Sequence, residues 1–344
     1  MNYLQDIEIR DRNPIYKQLV EHIESSVMKG LLKPGDPLPS ISQYARRLDI
    51  SKETVKKAYG ILTRRGLLES HQGKGFFVRA KSRRNNLKII ILSDKLSPYR
   101  QTFLNSFSQA MGHSAEIHIL LHNQDVEILR YYLDQSLGKF DYFIITPHFP
   151  RDPETGDKVI KQLSRIPDNQ LILADKNVDD YSGNCGAAYQ DFSYDVATAL
   201  STVTEELRRF PCIDVFNMPN SMYGYDVELA IARFCDRNNL HASFHGGISG
   251  KDIHGNQLCI FLNSQADDAL FTINEIAKAK GLVIGRDIKL ISYNESPLCS
   301  ILFGGLSTIS TDFAQMGRLC AEMIKTGEMK KIKCDIQFNK RHTF

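Results

Sequence analysis

Apolar residues recur near the start of the chain at four-residue steps, Ile15, Leu19, Ile23 and Val27 with Val20 beside them, which predicts a helix with one buried stripe. Pro14 suits its first turn, where a missing N–H costs nothing, and Gly30 ends it ahead of a Pro- and Gly-rich turn at 33–37. Ser40 is placed to cap a short second helix reaching Leu48, with Ile41, Tyr44, Ala45 and Leu48 on its inner side. After the Asp49-Ile50 turn, Ser51 is placed to cap a third helix, whose inner set Val55, Ala58, Tyr59 and Leu62 is spaced i, i+3, i+4, i+7 until Gly66 breaks it. Two short strands follow, 67–70 and 76–79, joined by a glycine-rich loop at 71–75.

Beyond residue 86 the rhythm changes. Short apolar runs at 87–92, 116–122, 142–146 and 171–174 read as buried parallel strands, with helical stretches near 100–112, 125–138 and 156–165 between them. The alternation resumes with strands at 213–217, 242–244, 258–262 and 289–293 and helices near 193–208, 222–239 and 266–280. Alternation of this kind predicts a doubly wound α/β architecture, here in two halves. Open α/β sheets bind ligands at the carboxyl ends of their strands, which directs attention to Asp94, Thr146, Asp175, Asn217, Asn263 and Asn294. The polar, basic stretch 79–86 between the two regions reads as a linker.

Charge sharpens this division. Residues 1–86 hold 17 Lys+Arg against 9 Asp+Glu, and residues 87–344 hold 26 against 31, so a net of +8 in the head faces a net of −5 in the body. A basic head on a mildly acidic body implies that only the head meets a polyanion. On the third helix, turning Val55, Ala58, Tyr59 and Leu62 inward leaves Lys52, Lys56 and Lys57 on or beside the outward face. Ser51 and Thr54 lie near its start, where hydroxyls and free N–H groups suit phosphate, and Lys74 between two glycines allows the backbone a close approach. Seven cysteines, all at or beyond Cys185 and none in a C-x-x-C pair, argue for reduced thiols in a cytoplasm rather than disulfides or zinc. No run approaches the length of a membrane helix, and residues 1–12 lack the apolar centre of a signal peptide. No metal site, cofactor or catalytic residue is expected: the histidines form no metal-like pair, His113, His118 and His122 coming nearest, and no phosphate-loop, nucleophile-elbow or dinucleotide fingerprint occurs.

The head resembles the GntR family of bacterial regulators. The similarity runs from Pro14 to Val78 and includes Pro-Ile-Tyr-Lys-Gln-Leu at 14–19, Leu-Lys-Pro-Gly-Asp at 32–36, Leu-Pro-Ser at 38–40, Ser-Lys-Glu-Thr-Val-Lys-Lys-Ala-Tyr at 51–59 and Arg-Gly-Leu-Leu-Glu at 65–69. The resemblance implies a winged helix-turn-helix, with the third helix in the major groove and the wing tip in the minor groove. The DNA-binding residues expected are Ser40, Ser51, Lys52, Thr54, Lys56, Lys57, Gln72, Gly73 and Lys74. Lysines stand at 52 and 56, where many relatives carry arginine, and an arginine grips guanine with two bonds where lysine is a point charge. Asp49 replaces the usual turn glycine.

The body is similar to the effector domain of the lactose-repressor family, built on the periplasmic sugar-binding fold. The similarity rests on the strand at 88–92 followed by Ser97-Pro98-Tyr99, on 171–176 ending in Asp175-Lys176, on 260–263 ending in Asn263, on 290–294 ending in Asn294, and on 306–313 with Gly317 and the tail at 340–343. By that resemblance Tyr99 stacks on a sugar face, while Asp175, Asn263 and Asn294 hydrogen-bond hydroxyls.

The expected fold is therefore α/β, an N-terminal winged helix-turn-helix domain at 1–78, a linker at 79–86 and a two-lobed doubly wound parallel-sheet domain of the periplasmic-binding-protein-like type I at 87–344. The expected function is a cytoplasmic, ligand-responsive transcription regulator, a repressor of carbohydrate-utilisation genes. Its expected partners are double-stranded operator DNA, a carbohydrate effector and a second copy of the chain, with no membrane. The alternative is the same head fused to a pyridoxal-phosphate-dependent aminotransferase-like body, for which residues 87–344 are short and offer no convincing strand-bound lysine.

Overall fold

The computed structural model describes residues 14–28, 31–71, 74–78, 87–217, 223–262 and 266–344. Contacts divide the chain into two compact units, Met1–Asn86 and Leu87–Phe344.

In the first unit, helices α1 (Ile15–Met28), α2 (Ile41–Leu48) and α3 (Lys52–Arg64) precede an antiparallel hairpin of β1 (Leu68–His71) and β2 (Gly75–Val78). The inner stripes meet in one core, where Leu19, Ile23, Tyr44, Val55, Tyr59 and Leu62 are fully buried. Ser40 and Gln43 form a reciprocal capping box at the start of α2, with bonds of 3.2 and 3.0 Å. Ser51 accepts the Thr54 N–H at 3.1 Å at the start of α3. Asp49 sits in the left-handed region at φ 52°, the conformation a turn glycine would take freely. The Tyr59 hydroxyl donates to the Pro39 carbonyl at 2.9 Å and fixes α3 against the segment entering α2.

The second unit has two lobes. The first contains β3 (Leu87–Ser93), α4 (Pro98–Met111), β4 (Ala115–Leu121), α5 (Val126–Ser136), β5 (Tyr142–Ile145), α6 (Pro153–Leu163), β6 (Leu171–Asp175) and β7 (Gly186–Tyr189). The second contains α7 (Asp195–Ser201), α8 (Thr204–Leu207), β8 (Ile213–Phe216), α9 (Gly224–Asn238), β9 (Ala242–His245), β10 (Gln257–Phe261), α10 (Ala266–Ala279), β11 (Ile288–Tyr293) and β12 (Ser307–Thr311). The chain then returns to the first lobe for α11 (Phe313–Thr326) and β13 (Lys331–Lys333), and ends in the second with β14 (Ile336–Asn339). The first sheet, ordered β13-β7-β6-β5-β3-β4, is parallel throughout; the second, β14-β12-β11-β10-β8-β9, is parallel except for β14. Both sheets are covered on both faces, as their near-continuous apolar central strands require.

Three segments therefore join the lobes: residues 190–194, Asp312, and Cys334 with Asp335. They are tied to one another, Cys334 N–H to the Tyr189 carbonyl at 2.7 Å and Asp312 N–H to the Asp335 carbonyl at 2.8 Å.

The differences from the apolar pattern have local causes. The helix expected at 193–208 is two, α7 and α8, with Thr202 and Val203 between them. Strand β7 is built of small residues because α11 presses on it: a Cβ at Gly186 would lie 2.8 Å from the Met323 sulfur. Strand β12, Ser-Thr-Ile-Ser-Thr, is polar yet fully buried, and each of its hydroxyls finds a partner within the unit. The described helices include none long and apolar enough to cross a membrane.

Candidate functional site

Two sets of side chains carry chemistry, one in each unit. In the head, α3 turns Lys52, Lys56 and Lys57 away from the core; all three are exposed, with Thr54 half-buried beside the exposed Ser51. They are not equivalent. Lys56 makes a loose 3.6 Å pair with the exposed Glu53, whereas the Lys57 ammonium lies 3.9 Å from the centre of the Tyr16 ring on α1, a cation–π contact. Ser40 and Ser51 use their oxygens as cap acceptors, and the Ser51 hydroxyl also shares a hydrogen bond of 2.8 Å with the Thr54 hydroxyl. Lys74 is exposed at the hairpin turn; Gln72 and Gly73 lie outside the described residues. The exposed Arg46 and Arg47, in the last turn of α2, are further cations that the apolar pattern did not single out.

In the body, the site grows from the end of β6. Asp175 is buried and holds a left-handed backbone at φ 74°; Asn294, after β11, does the same at φ 75°. A non-glycine residue in that region is uncommon, and two of them here, each directly at a strand end, swing polar side chains out of the strand direction. One Asp175 oxygen takes Arg100 Nη2 at 2.7 Å and His148 Nε2 at 2.7 Å; the other accepts from the Gln190 amide. Arg100 Nη2 also reaches Asp94 at 2.9 Å, and Asp94 is held by Thr146 at 3.3 Å. Burial alone would raise the Asp175 carboxyl, but the Arg100 charge and the His148 hydrogen bond overcome it and hold the group well below the usual carboxylate range. Asp94 is lowered in the same way, by Arg100 against burial. Burial pushes Lys95 and Lys176 down, Lys176 with help from the Arg151 charge.

Across from this cluster, second-lobe side chains complete a polar and aromatic wall. Tyr223 stacks on Phe192 with ring centres 4.8 Å apart, and both lie about edge-on to His148 at 6.1 and 5.9 Å. Asn294 Nδ2 donates to the Tyr223 hydroxyl at 3.4 Å, so Asp175 and Asn294 are linked through His148 and Tyr223. Gly224 opens α9 where a Cβ would lie 2.2 Å from the Asn217 side chain. A further cavity of about 530 Å³ lies beside the ends of β5 and β6, lined by Arg151, Lys176 and Asn177 among others. Arg151 at its edge pairs with Asp226 of the second lobe.

Seven buried side-chain polar atoms among the described residues lack a hydrogen-bond partner, and five belong to this region: Arg100 Nε and Nη1, Asn177 Oδ1, Asn217 Oδ1 and Asn294 Oδ1. Buried polar groups are otherwise paired almost without exception, because desolvating one without a partner costs about 1–3 kcal/mol. The first lobe thus offers the two Arg100 donors and the Asn177 acceptor, and the second lobe the Asn217 and Asn294 acceptors.

Of the four ligand residues expected, Asp175 and Asn294 are brought together. Asn263 lies outside the described residues. Tyr99 is buried beside the cluster: its ring packs on Phe313 at 4.7 Å on one side and lies 5.5 Å from the Arg100 guanidinium, while Phe192 and Tyr223 are the stacked aromatic pair beside the strand ends. Arg100, His148 and Gln190 were not among the expected residues. Arg100 directly follows the Ser-Pro-Tyr run, a visible signal; Gln190 and Phe192 sit on a lobe crossover, which no local pattern marks.

The chain matches the family described as bacterial regulatory proteins, gntR family, over residues 15–78. It is 32% identical over 95 residues to the HTH-type transcriptional repressor YtrA of Bacillus subtilis, an alignment covering 28% of this chain and 69% of that protein. It is 38% identical over 87 residues to the mannosyl-D-glycerate transport/metabolism system repressor MngR of Escherichia coli, 24% of this chain and 35% of that one. Among solved structures it is similar to the dimeric lac repressor with an 11-residue C-terminal deletion, at a TM-score of 0.60 and 16% identity, covering 75% of this chain and 98% of that chain. That likeness shows the fold, and the aminotransferase-like body is thereby set aside.

Proposed function

The chain belongs to the gntR family of bacterial regulatory proteins, and from that premise we propose that it is an operator-binding repressor whose body senses a sugar or sugar derivative between its two lobes. The observation that carries the ligand half is the concentration of five unpartnered buried polar atoms at the strand ends and the start of α4. A polyhydroxylated molecule suits such a mixed set of donors and acceptors, because each hydroxyl both donates and accepts. The Phe192–Tyr223 pair offers an aromatic surface to the apolar face of a sugar ring. The relatives support a repressor acting on carbohydrate-related genes, MngR by its name, and the lac repressor supports an effector domain of this fold.

The division of labour falls at a DNA-binding domain of residues 1–78, a linker at 79–86 and an effector and dimerisation domain at 87–344. DNA contacts come from Ser40, Ser51, Lys52, Thr54, Lys56, the wing residues Gln72, Gly73 and Lys74, and at the margin Lys57; ligand contacts come from Asp175, Asn263 and Asn294 with Arg100, Asn217 and Tyr223. The protein works in the cytoplasm as a homodimer on an imperfectly palindromic operator, since one head spans only a few base pairs. Exposed apolar side chains of the second lobe, Phe271, Val283, Leu298 and Ile301, are available to a second copy.

The test is a calorimetric titration with a panel of monosaccharides, disaccharides and sugar phosphates, followed by operator binding with and without each hit. A saturable sugar that changes operator affinity, at two chains per operator, is the expected result. Absence of any carbohydrate binding, or binding without effect on the operator, overturns the sensing role.

A further inference from the structure

Gln190 is the first residue after β7, on the first of the three segments that join the lobes, and it is 4% exposed. Its side-chain amide has three partners on three different elements. The Nε2 group donates to Asp175 Oδ1, and Oε1 accepts from Tyr293 Oη at 3.1 Å and from Thr311 Oγ1 at 2.9 Å. Its backbone N–H adds a bond to the Asp175 carbonyl at 3.1 Å. The orientation of the amide is forced, because turning it over would set its oxygen against a carboxylate that accepts only.

These partners are not arbitrary. Asp175 belongs to the first lobe and to the candidate ligand site. Tyr293 is the last residue of β11 in the second lobe and directly precedes Asn294. Thr311 ends β12 and directly precedes Asp312, the second segment joining the lobes, which in turn is bonded to the third through Asp335. One carboxamide thus holds the ligand carboxylate, the strand carrying Asn294 and the second crossover at once.

We propose that Gln190 is the positioning residue that makes the angle between the lobes depend on what the Asp175 carboxylate binds. This rests on the reading that the interlobe site takes an effector. The Arg100 and His148 bonds fill the other Asp175 oxygen, so an arriving hydroxyl is directed to the oxygen that Gln190 uses, where sharing the acceptor weakens the carboxamide bond. Losing that bond frees the carboxamide to turn, and Tyr293 and Thr311 lose their shared acceptor together. Thr311 adjoins the second crossover and Gln190 opens the first, so the change is felt at the crossovers rather than in the sheets.

The coupling is testable without any effector. In the full-length protein, amide hydrogen exchange is followed at 311–315 and 334–336 for the parent, Asp175→Asn, Gln190→Met and the double variant. Gln190→Met keeps the volume and removes all three side-chain bonds. Each single variant should speed exchange at both crossovers by about tenfold while central strands β5 and β10 stay protected, and the double variant should add little to Gln190→Met. Additive effects, or unchanged crossovers in Gln190→Met, overturn the proposal. Should Asp175→Asn disturb folding, Thr311→Val supplies a second arm: the side-chain amide proton resonances of Gln190 should shift when the acceptor side alone is changed. Unmoved resonances likewise overturn it. A panel in which no sugar binds would defeat the sensing role and leave this cycle intact, whereas an additive cycle would leave the panel result standing.

Discussion

The head and the body both depend on positive charge, but they hold it in opposite ways. Lys52, Lys56 and Lys74 stand in solvent on α3 and the hairpin turn, with no carboxylate closer than the loose Glu53 contact at Lys56 among the pairs formed. Arg100 is 3% exposed and locked between Asp94 and Asp175, two carboxylates kept ionised by its presence. Solvent-facing charge can be lent to a polyanion at little conformational cost and is weakened by salt. Buried charge cannot leave, so it organises a small site and is nearly blind to ionic strength. A regulator needs both: a surface that releases DNA when geometry changes, and a site that discriminates one small molecule.

The comparison can be broken most forcefully at Arg100. Replacing it with leucine leaves Asp94 and Asp175 buried without their shared cation, and losing one partner of such a network costs about 3–5 kcal/mol. Denaturant unfolding of Arg100→Leu should show a destabilisation of that size, unchanged between low and high salt. A loss below about 1 kcal/mol would place this cation in the surface class, where exposed pairs belong.

The next effect concerns protons. His122 lies fully buried after β4, stacked on Phe149 at 4.5 Å. Its Nε2 faces the Thr146 carbonyl at 3.0 Å and its Nδ1 accepts the Gln124 N–H at 3.2 Å, which suits the neutral ring with its proton on Nε2. Burial, only partly offset by the Thr146 bond and the Asp94 charge, lowers its pKa to about 4, with His148 and Arg100 acting in the same direction as burial. A histidine lowered on folding contributes stability that is present above its unfolded value of about 6.5 and is lost as pH falls toward the folded value. The loss across that window amounts to about 3 kcal/mol. His122→Gln should flatten the stability profile between pH 6.5 and 4, leaving the steeper loss at lower pH where Asp94 and Asp175 take up protons. An unflattened profile would assign that window to another group.

How far the sequence carried these inferences differs between the two regions for a physical reason. The head was legible almost residue by residue, since Ser40, Ser51, Asp49 and the Val55–Leu62 set act through neighbours three or four positions away. In the body, alternation revealed the layered α/β pattern, and the strand-end rule singled out Asp175, Asn217 and Asn294, which do lie at the ends of β6, β8 and β11. It could not find β12, whose Ser and Thr side chains are buried by partners as distant as Arg341 and Gln190, nor the packing of Tyr99 against Phe313 from α11. Residues such as Gln190 and Phe192 owe their roles to where the chain crosses between lobes, and a crossover has no periodicity.

The smallest effect separates two adjacent lysines. Lys56 and Lys57 look alike in the sequence, both outward on α3, yet only Lys57 places its ammonium over Tyr16. A cation–π contact at an exposed site contributes about 0.5–1 kcal/mol, and it also ties α3 to α1. Lys57→Ala should therefore cost the head about that much stability in thermal unfolding, while Lys56→Ala, losing only an exposed i, i+3 pair, stays within about 0.5 kcal/mol of the parent. In operator binding the order should reverse. Lys56→Ala weakens binding and reduces the slope of log affinity against log salt by about one, and Lys57→Ala changes that slope less, because its charge is already held against its own protein. Equal salt slopes for the two variants would show that Tyr16 does not withhold Lys57 from the phosphates, and the whole outward face of α3 would then act as one electrostatic surface.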